Sequence, residues 1–222
     1  MSSNPKIALL EEYALIARAL STPARLTILE QLAQGERGVE VLASKTALTV
    51  ANCSQHLQHL RRAGLVTSRR DGKAVIYRLT DGKTLALMDL LRVVAEQNLA
   101  QVEYILRGLS GGEGAPEPIS RKELAVRLDA GSVTVLDVRP ADEYATGHIP
   151  GAINVTLGQL DQILPVLDPD TEVIAYCRGP YCIYAHQAVA ALRKRGFNAR
   201  RLDGGLPDWR EDGRTVRLAV ER

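Results

Sequence analysis

Apolar side chains in the first half of the chain recur at helical spacing: Ile7, Leu10, Ala14 and Ala17; Leu26, Leu29 and Leu32; Leu57, Leu60 and Leu65. That period predicts a series of amphipathic helices. The pattern changes after residue 118. Short β-rich runs at 133–138 (VTVLDV), 152–155 (AINV), 173–176 (VIAY) and 199–202 (ARRL) alternate with helical stretches such as 185–195, where Ala185, Ala188, Val189 and Leu192 share a face. Strand and helix in alternation predict an α/β domain with a mostly parallel sheet flanked by helices. Between the two patterns, residues 110–118 (SGGEGAPEP) combine glycine and proline in a composition that resists both helix and ladder. The expected organisation is therefore a mainly α domain at 1–109, a linker at 110–118 and an α/β domain at 119–222.

The first domain carries a finer signature. Thr22 and Pro23 suit a helix start, because the hydroxyl caps and proline fits the first turn. A short helix is expected near 39–45 and a second at 49–62, closing at Ala63 and Gly64. Two short helices joined by a tight turn form a helix-turn-helix, whose second helix enters the major groove of DNA. Next, 66–70 (VTSRR) and 73–79 (KAVIYRL) flank Asp71-Gly72, a strong hairpin signal. A basic hairpin placed there reads as a wing.

Charge supports this reading only after it is divided. Of 28 basic and 26 acidic residues, positions 1–110 hold 14 and 10, and positions 111–222 hold 14 and 16. The basic excess lies in the half with the helix-turn-helix, where Arg61, Arg62, Arg69, Arg70, Lys73, Arg78 and Lys83 face only Asp71 and Asp81. On the recognition helix, Thr49, Asn52, Ser54, Gln55 and Gln58 lie opposite the leucines and suit base edges and phosphates, with Ser54 and Gln55 foremost. Arg69, Arg70 and Lys73 at the wing are expected against phosphates or in the minor groove. Solvated polar positions are the plainer alternative for each. No apolar run is long enough to span a bilayer, and three cysteines do not make a secreted disulfide framework, so a soluble cytoplasmic protein with reduced thiols is expected.

The run 19–29 (ALSTPARLTIL), with 54–66 (SQHLQHLRRAGLV) and 77–79 (YRL), resembles the ArsR/SmtB repressor family over about residues 6–108. The resemblance implies a homodimer, held together by the first helix and a long helix near 84–107, on a palindromic double-stranded operator. Metal-sensing relatives carry a Cys-x-Cys-type pair before the recognition helix, or Asp/His ligands in the last helix. Here those places read 41–45 (VLASK) and 85–92 (LALMDLLR). Relatives that sense persulfides within this domain use two cysteines, and this domain has Cys53 alone. Cys53 shares a helical face with Val50, Leu57 and Leu60 and reads as a small buried hydrophobe. His56 and His59 read as surface or DNA-facing positions. No metal site and no cofactor are expected.

The run 135–154 (VLDVRPADEYATGHIPGAIN), with 203–205 (DGG) and Trp209, resembles the rhodanese family over about residues 119–215. The resemblance places Cys177 at the sulfur-accepting position and gives Asp137, Arg139, His148 and Trp209 structural duties. The chemistry also follows from the residues. A strand delivers Cys177 to a tight loop, 177–182 (CRGPYC), with a helix immediately after. Inward backbone amides, the helix N-terminus and Arg178 favour a thiolate or persulfide anion, although Pro180 removes one donor. Cys182, at the far lip of the loop, is placed to attack a persulfide on Cys177 and leave a disulfide, or to bridge it through polysulfide, if the two sulfurs approach. A helix-start thiol without a role is the plainer alternative. Phosphatases and arsenate reductases of related fold place an arginine six residues after the cysteine, and here that position is Ile183.

Three functions remain open at this point. The first is a repressor controlled by sulfane-sulfur or redox modification of Cys177 and Cys182. The second is a rhodanese-type sulfurtransferase, using thiosulfate or polysulfide, with autoregulatory DNA binding. The third is a repressor responsive to arsenite or another soft ion. The partners expected are operator DNA, a second copy of the chain and a sulfane-sulfur donor, with no membrane.

Overall fold

In the computed structural model the described residues are 4–109, 116–179 and 182–218. They fall into two compact units, Met1–Met88 and Asp89–Arg222. The first contains α1 (Pro5–Leu20), α2 (Pro23–Ala33), β1 (Arg37–Gly38), α3 (Val39–Lys45), α4 (Val50–Arg62), β2 (Val66–Asp71) and β3 (Ala74–Leu79). As the sequence predicts, Thr22 caps α2 by accepting from the Arg25 amide, and Pro23 opens the helix. Thr49 caps α4 in the same way, accepting from the Asn52 amide. Helix α4 ends at Ala63, and Gly64 follows at φ 72°, a left-handed conformation that glycine adopts at little cost. Strands β2 and β3 pair antiparallel from Val66 with Leu79 to Asp71 with Ala74, and β1 adds to β3 as a third strand. The interior is Ile28, Leu29, Leu32, Leu42, Cys53, Leu57, Leu60, Leu65 and Val66. Each such aliphatic side chain contributes roughly 1.5–3 kcal/mol by leaving water.

Helix α5 (Gly82–Asn98) spans the division between the units and is followed by α6 (Ala100–Leu109). The sequence reads these as one helix near 84–107 with a domain boundary after it. The structure interrupts the helix at Leu99, and the division falls inside α5. Beside the interruption the Asn98 side-chain amide donates to the Val94 carbonyl at 2.8 Å, and the Leu99 amide still donates to the Ala95 carbonyl at 2.9 Å. Residues 110–115 of the expected linker lie outside the described residues.

The second unit continues with α7 (Arg121–Asp129), β4 (Val133–Asp137), α8 (Ala141–Ala145), β5 (Ile153–Asn154), α9 (Leu160–Ile163), β6 (Glu172–Tyr176), α10 (Tyr184–Lys194), β7 (Ala199–Arg201) and α11 (Leu206–Glu211). Its strands form a four-stranded parallel sheet in the order β5-β4-β6-β7, which matches the expected class. The pleat sends alternate side chains of β6 to opposite faces. Val173, Ala175 and then Cys177 enter one apolar cluster with Leu136, Ala188 and Leu192, whereas Ile174 and Tyr176 enter the other with Val135, Leu202 and Trp209. Both faces of β6 are covered, so the loop that leaves its C-terminal end starts from a fixed platform. Among the described residues, no helix is long and apolar enough to cross a membrane.

Candidate functional site

The strand alternation that builds the core also buries the first cysteine. Cys177 is 1% exposed and Cys182 8%, and their sulfurs are joined in a disulfide with the Cα atoms 6.3 Å apart. The separation lies within the reach of such a bond. The Cys182 amide donates to the Gly179 carbonyl at 3.0 Å, closing a turn, so this amide serves the loop itself. Pro180 and Tyr181 lie outside the described residues.

A second turn seats the loop from below. The Leu206 amide donates to the Cys177 carbonyl at 3.3 Å, and the Gly205 amide donates to Asp208 Oδ2 at 2.7 Å. A Cβ on Gly205 would meet the backbone of Arg178 and Gly179 within 3 Å, so only glycine allows this approach. Asp208 is pushed up from the usual carboxylate range by burial.

Arg178 is held rather than loose. Its Nε and Nη2 donate to the Glu143 carboxylate at 2.9 Å each, Glu143 is fully buried, and the guanidinium lies 5.5 Å from the Tyr184 ring centre. The positive charge that the sequence assigns to the thiols is thus offset by a buried carboxylate, which fixes the backbone between Cys177 and Gly179. Nothing in the sequence pattern pairs Glu143 with Arg178, because they are 35 residues apart.

Asp137 and Arg139 brace the same end of the sheet. Arg139 Nη2 donates to Asp137 Oδ2 and to the Gly147 carbonyl, both at 2.6 Å, the Tyr176 hydroxyl donates to Asp137 Oδ2 at 2.6 Å, and the Ile149 amide donates to that hydroxyl at 3.0 Å. Burial first, and then the Asp137 charge, pushes the Tyr176 hydroxyl well above its ordinary value. His148 stacks on Tyr144 at 3.8 Å, and Trp209 donates its indole N–H to the Thr215 carbonyl at 2.9 Å.

In the first unit, Asn52, Gln55 and Gln58 are exposed along α4, Ser54 is half-buried, and Thr49 is exposed while its hydroxyl caps the helix. Cys53 is fully buried, and burial pushes its thiol up. At the wing, Arg69, Arg70 and Lys73 are exposed. Arg69 pairs with Glu36 Oε2 at 3.0 Å and with Asp71 Oδ2 at 2.9 Å, and Arg78 lies 3.8 Å from Glu36. Glu36 escaped the sequence reading because the strand β1 that follows it is only two residues long and carries no periodicity. Among the described residues, no group of three or more His, Cys, Asp or Glu side chains is arranged to hold a metal.

Two family models match this chain: "bacterial regulatory protein, arsR family" at residues 22–68 and "rhodanese-like domain" at residues 120–212. The HTH-type transcriptional regulator Rv0324 of Mycobacterium tuberculosis is 43% identical over 96% of this chain and 94% of its own length. This chain is an ArsR-family transcriptional regulator with a rhodanese-like domain. The regulator is also 38% identical to the biofilm growth-associated repressor of Agrobacterium fabrum, over 40% of this chain and 78% of that one. The solution structure of the homodimeric winged helix-turn-helix domain of Mb0332 from Mycobacterium bovis is 40% identical, covering 45% of this chain and 92% of that one with a TM-score of 0.41.

Proposed function

We propose that the regulator is a homodimeric cytoplasmic repressor of a palindromic operator, and that the sulfur state of Cys177 and Cys182 sets its affinity for DNA. A sulfane-sulfur donor such as thiosulfate or polysulfide, or an oxidant, is the input. The observation that carries this reading is the pairing of two cysteines within bonding distance in a loop fixed at both ends, by Glu143 through Arg178 and by the glycine turn at Gly205. Such a pair passes between dithiol, persulfide and disulfide without rearranging its platform. For DNA, α4 contributes Asn52, Ser54, Gln55 and Gln58 to base edges with Thr49 at its start, and Arg69, Arg70 and Lys73 of the wing lie on phosphates. Arg178 acts as a positioning residue for Cys177.

Dimerisation is supported by apolar side chains left without a partner in the single chain: Ile7, Leu10 and Tyr13 on α1, and Leu90, Leu91 and Val94 on α5. The rhodanese-like match also favours a catalytic reading in which Cys177 carries sulfur through repeated turnovers. One experiment separates the two. Reduced protein is incubated with polysulfide or with thiosulfate and cyanide, and its mass, the thiocyanate formed and operator occupancy are followed in the same samples. A single stoichiometric sulfur load at Cys177 with a matching change in occupancy supports the regulator. Sustained thiocyanate formation with occupancy unchanged supports the enzyme instead.

A further inference from the structure

Beside the cysteine pair the second unit encloses a small cavity of about 20 Å³, room for roughly one water-sized molecule. Cys177, Gly179 and Cys182 form one wall, and Arg92 and Glu96 of α5 with His186 and Arg201 form another. Glu96, His186 and Arg201 also line a larger open cavity of about 300 Å³, whose rim includes Glu117 and the Glu103–Arg107 ion pair. These three side chains are therefore the neck between solvent and sulfur.

The two arginines differ. Arg92 is held by Asp89 and Glu96, at 2.8 Å each. Among the described residues, no hydrogen bond or close ion pair holds the Arg201 guanidinium, on which Asp203, Glu96 and Glu117 act from further away. An incompletely paired cation in an enclosed space beside a disulfide is a place for a small anion. His186 stays uncharged there, lowered to about 4 by burial and the Arg201 charge.

Resting on the reading that the cysteine pair is the input, we propose that Arg201 receives hydrosulfide in this cavity and that hydrosulfide opens the Cys177–Cys182 bond. Hydrogen sulfide passes the neck in its neutral form and loses a proton to solvent. The hydrosulfide sulfur attacks Cys177 Sγ. A new S–S bond forms, the Cys177–Cys182 bond breaks, and its electron pair leaves on Cys182 as a thiolate. The products are a Cys177 persulfide and a Cys182 thiolate. The disulfide is the oxidant that brings the incoming sulfur to the sulfane level, and no further reagent is consumed. Cys182 is the better leaving group because it stands just before the N-terminus of α10, whose positive end favours a thiolate. Thiosulfate and glutathione are too large for the cavity.

The test uses the full chain with the bond closed and follows its mass over time with hydrosulfide or with glutathione, folded and in denaturant. Folding should raise the ratio of the hydrosulfide rate to the glutathione rate by at least about tenfold, as size exclusion and a local cation both require. Arg201→Gln should lose about tenfold of the hydrosulfide rate and Arg201→Lys should keep most of it, since the charge is what acts. A ratio unchanged by folding, or a lysine variant as slow as the glutamine one, overturns the assignment. Operator occupancy on the same samples keeps the two ideas apart: sulfur gained at Cys177 with no change in occupancy ends the regulatory reading and leaves the cavity assignment standing.

Discussion

Gly205 shows how narrowly the cysteine loop is specified. Its missing side chain lets the turn before α11 lie directly on the Arg178–Gly179 backbone, and a methyl group there has nowhere to go except into main chain. Gly205→Ala should therefore destabilise the second unit by about 2 kcal/mol or more, read as a lower urea midpoint, and should shift the loop's thiol reactivity with it. A variant as stable as the parent would show that the loop has freedom the structure denies it. His186 gives a pH dependence of definite sign. Its value falls from 6.5 to about 4 in the folded chain, so the unfolded chain binds the extra proton between those limits. Stability is then held above pH 6.5 and lost as pH falls towards 4, by about 1–2 kcal/mol once partial exposure is allowed for. Urea midpoints at about pH 7 and about pH 5 should differ in the parent and differ less in His186→Gln.

At the scale of elements, the wing is restrained by carboxylates. Glu36 reaches Arg69 and approaches Arg78, and Asp71 takes a second hold on Arg69. A phosphate must displace these partners before Arg69 is available to DNA. Glu36→Gln should therefore tighten operator binding by about threefold at low salt and steepen the salt dependence, as one more cation is released to the backbone. Equal affinity and slope in a salt titration by fluorescence anisotropy would place Arg69 away from DNA. The wing itself was legible in advance, because Asp71-Gly72 between alternating strands is a strong hairpin signal, although Asp71 pairs with Ala74 and the chain turns at Gly72 and Lys73, one residue later than expected, with Gly72 at φ 59°. The caps at Thr22 and Thr49 were legible for the same reason: they depend on residues three apart in sequence. The break at Leu99 was not, since the apolar period runs on through it. Nor were the pairings of Glu36 and Glu143, which depend on contacts 33 and 35 residues away in the chain.

For the whole molecule, the sequence pattern identified the two kinds of fold and the cysteines, because periodicity, turns and the motif around Cys177 are local. The surroundings of the cysteines were hidden. Arg201 reaches the cavity through the register of β7 on β6, and Arg92 and Glu96 come from a helix more than 80 residues earlier in the chain. The exposed apolar side chains of α1 and α5 need a partner. Tyr13→Glu with Leu10→Glu should move the sedimenting species from dimer to monomer and weaken operator binding by at least about tenfold, because a dimer engages DNA through two recognition helices at once. A double variant that still sediments as a dimer would assign these faces another role. The claim on which the rest depends is that the cysteine pair governs DNA affinity, and it is tested most directly by measuring operator affinity with the pair closed and with the pair fully reduced, in the parent and in Cys177→Ser. The expected result is a change of about tenfold or more between the two states of the parent and none in Cys177→Ser, in line with a coupling of ordinary allosteric size. Equal affinity in the closed and reduced parent would contradict it.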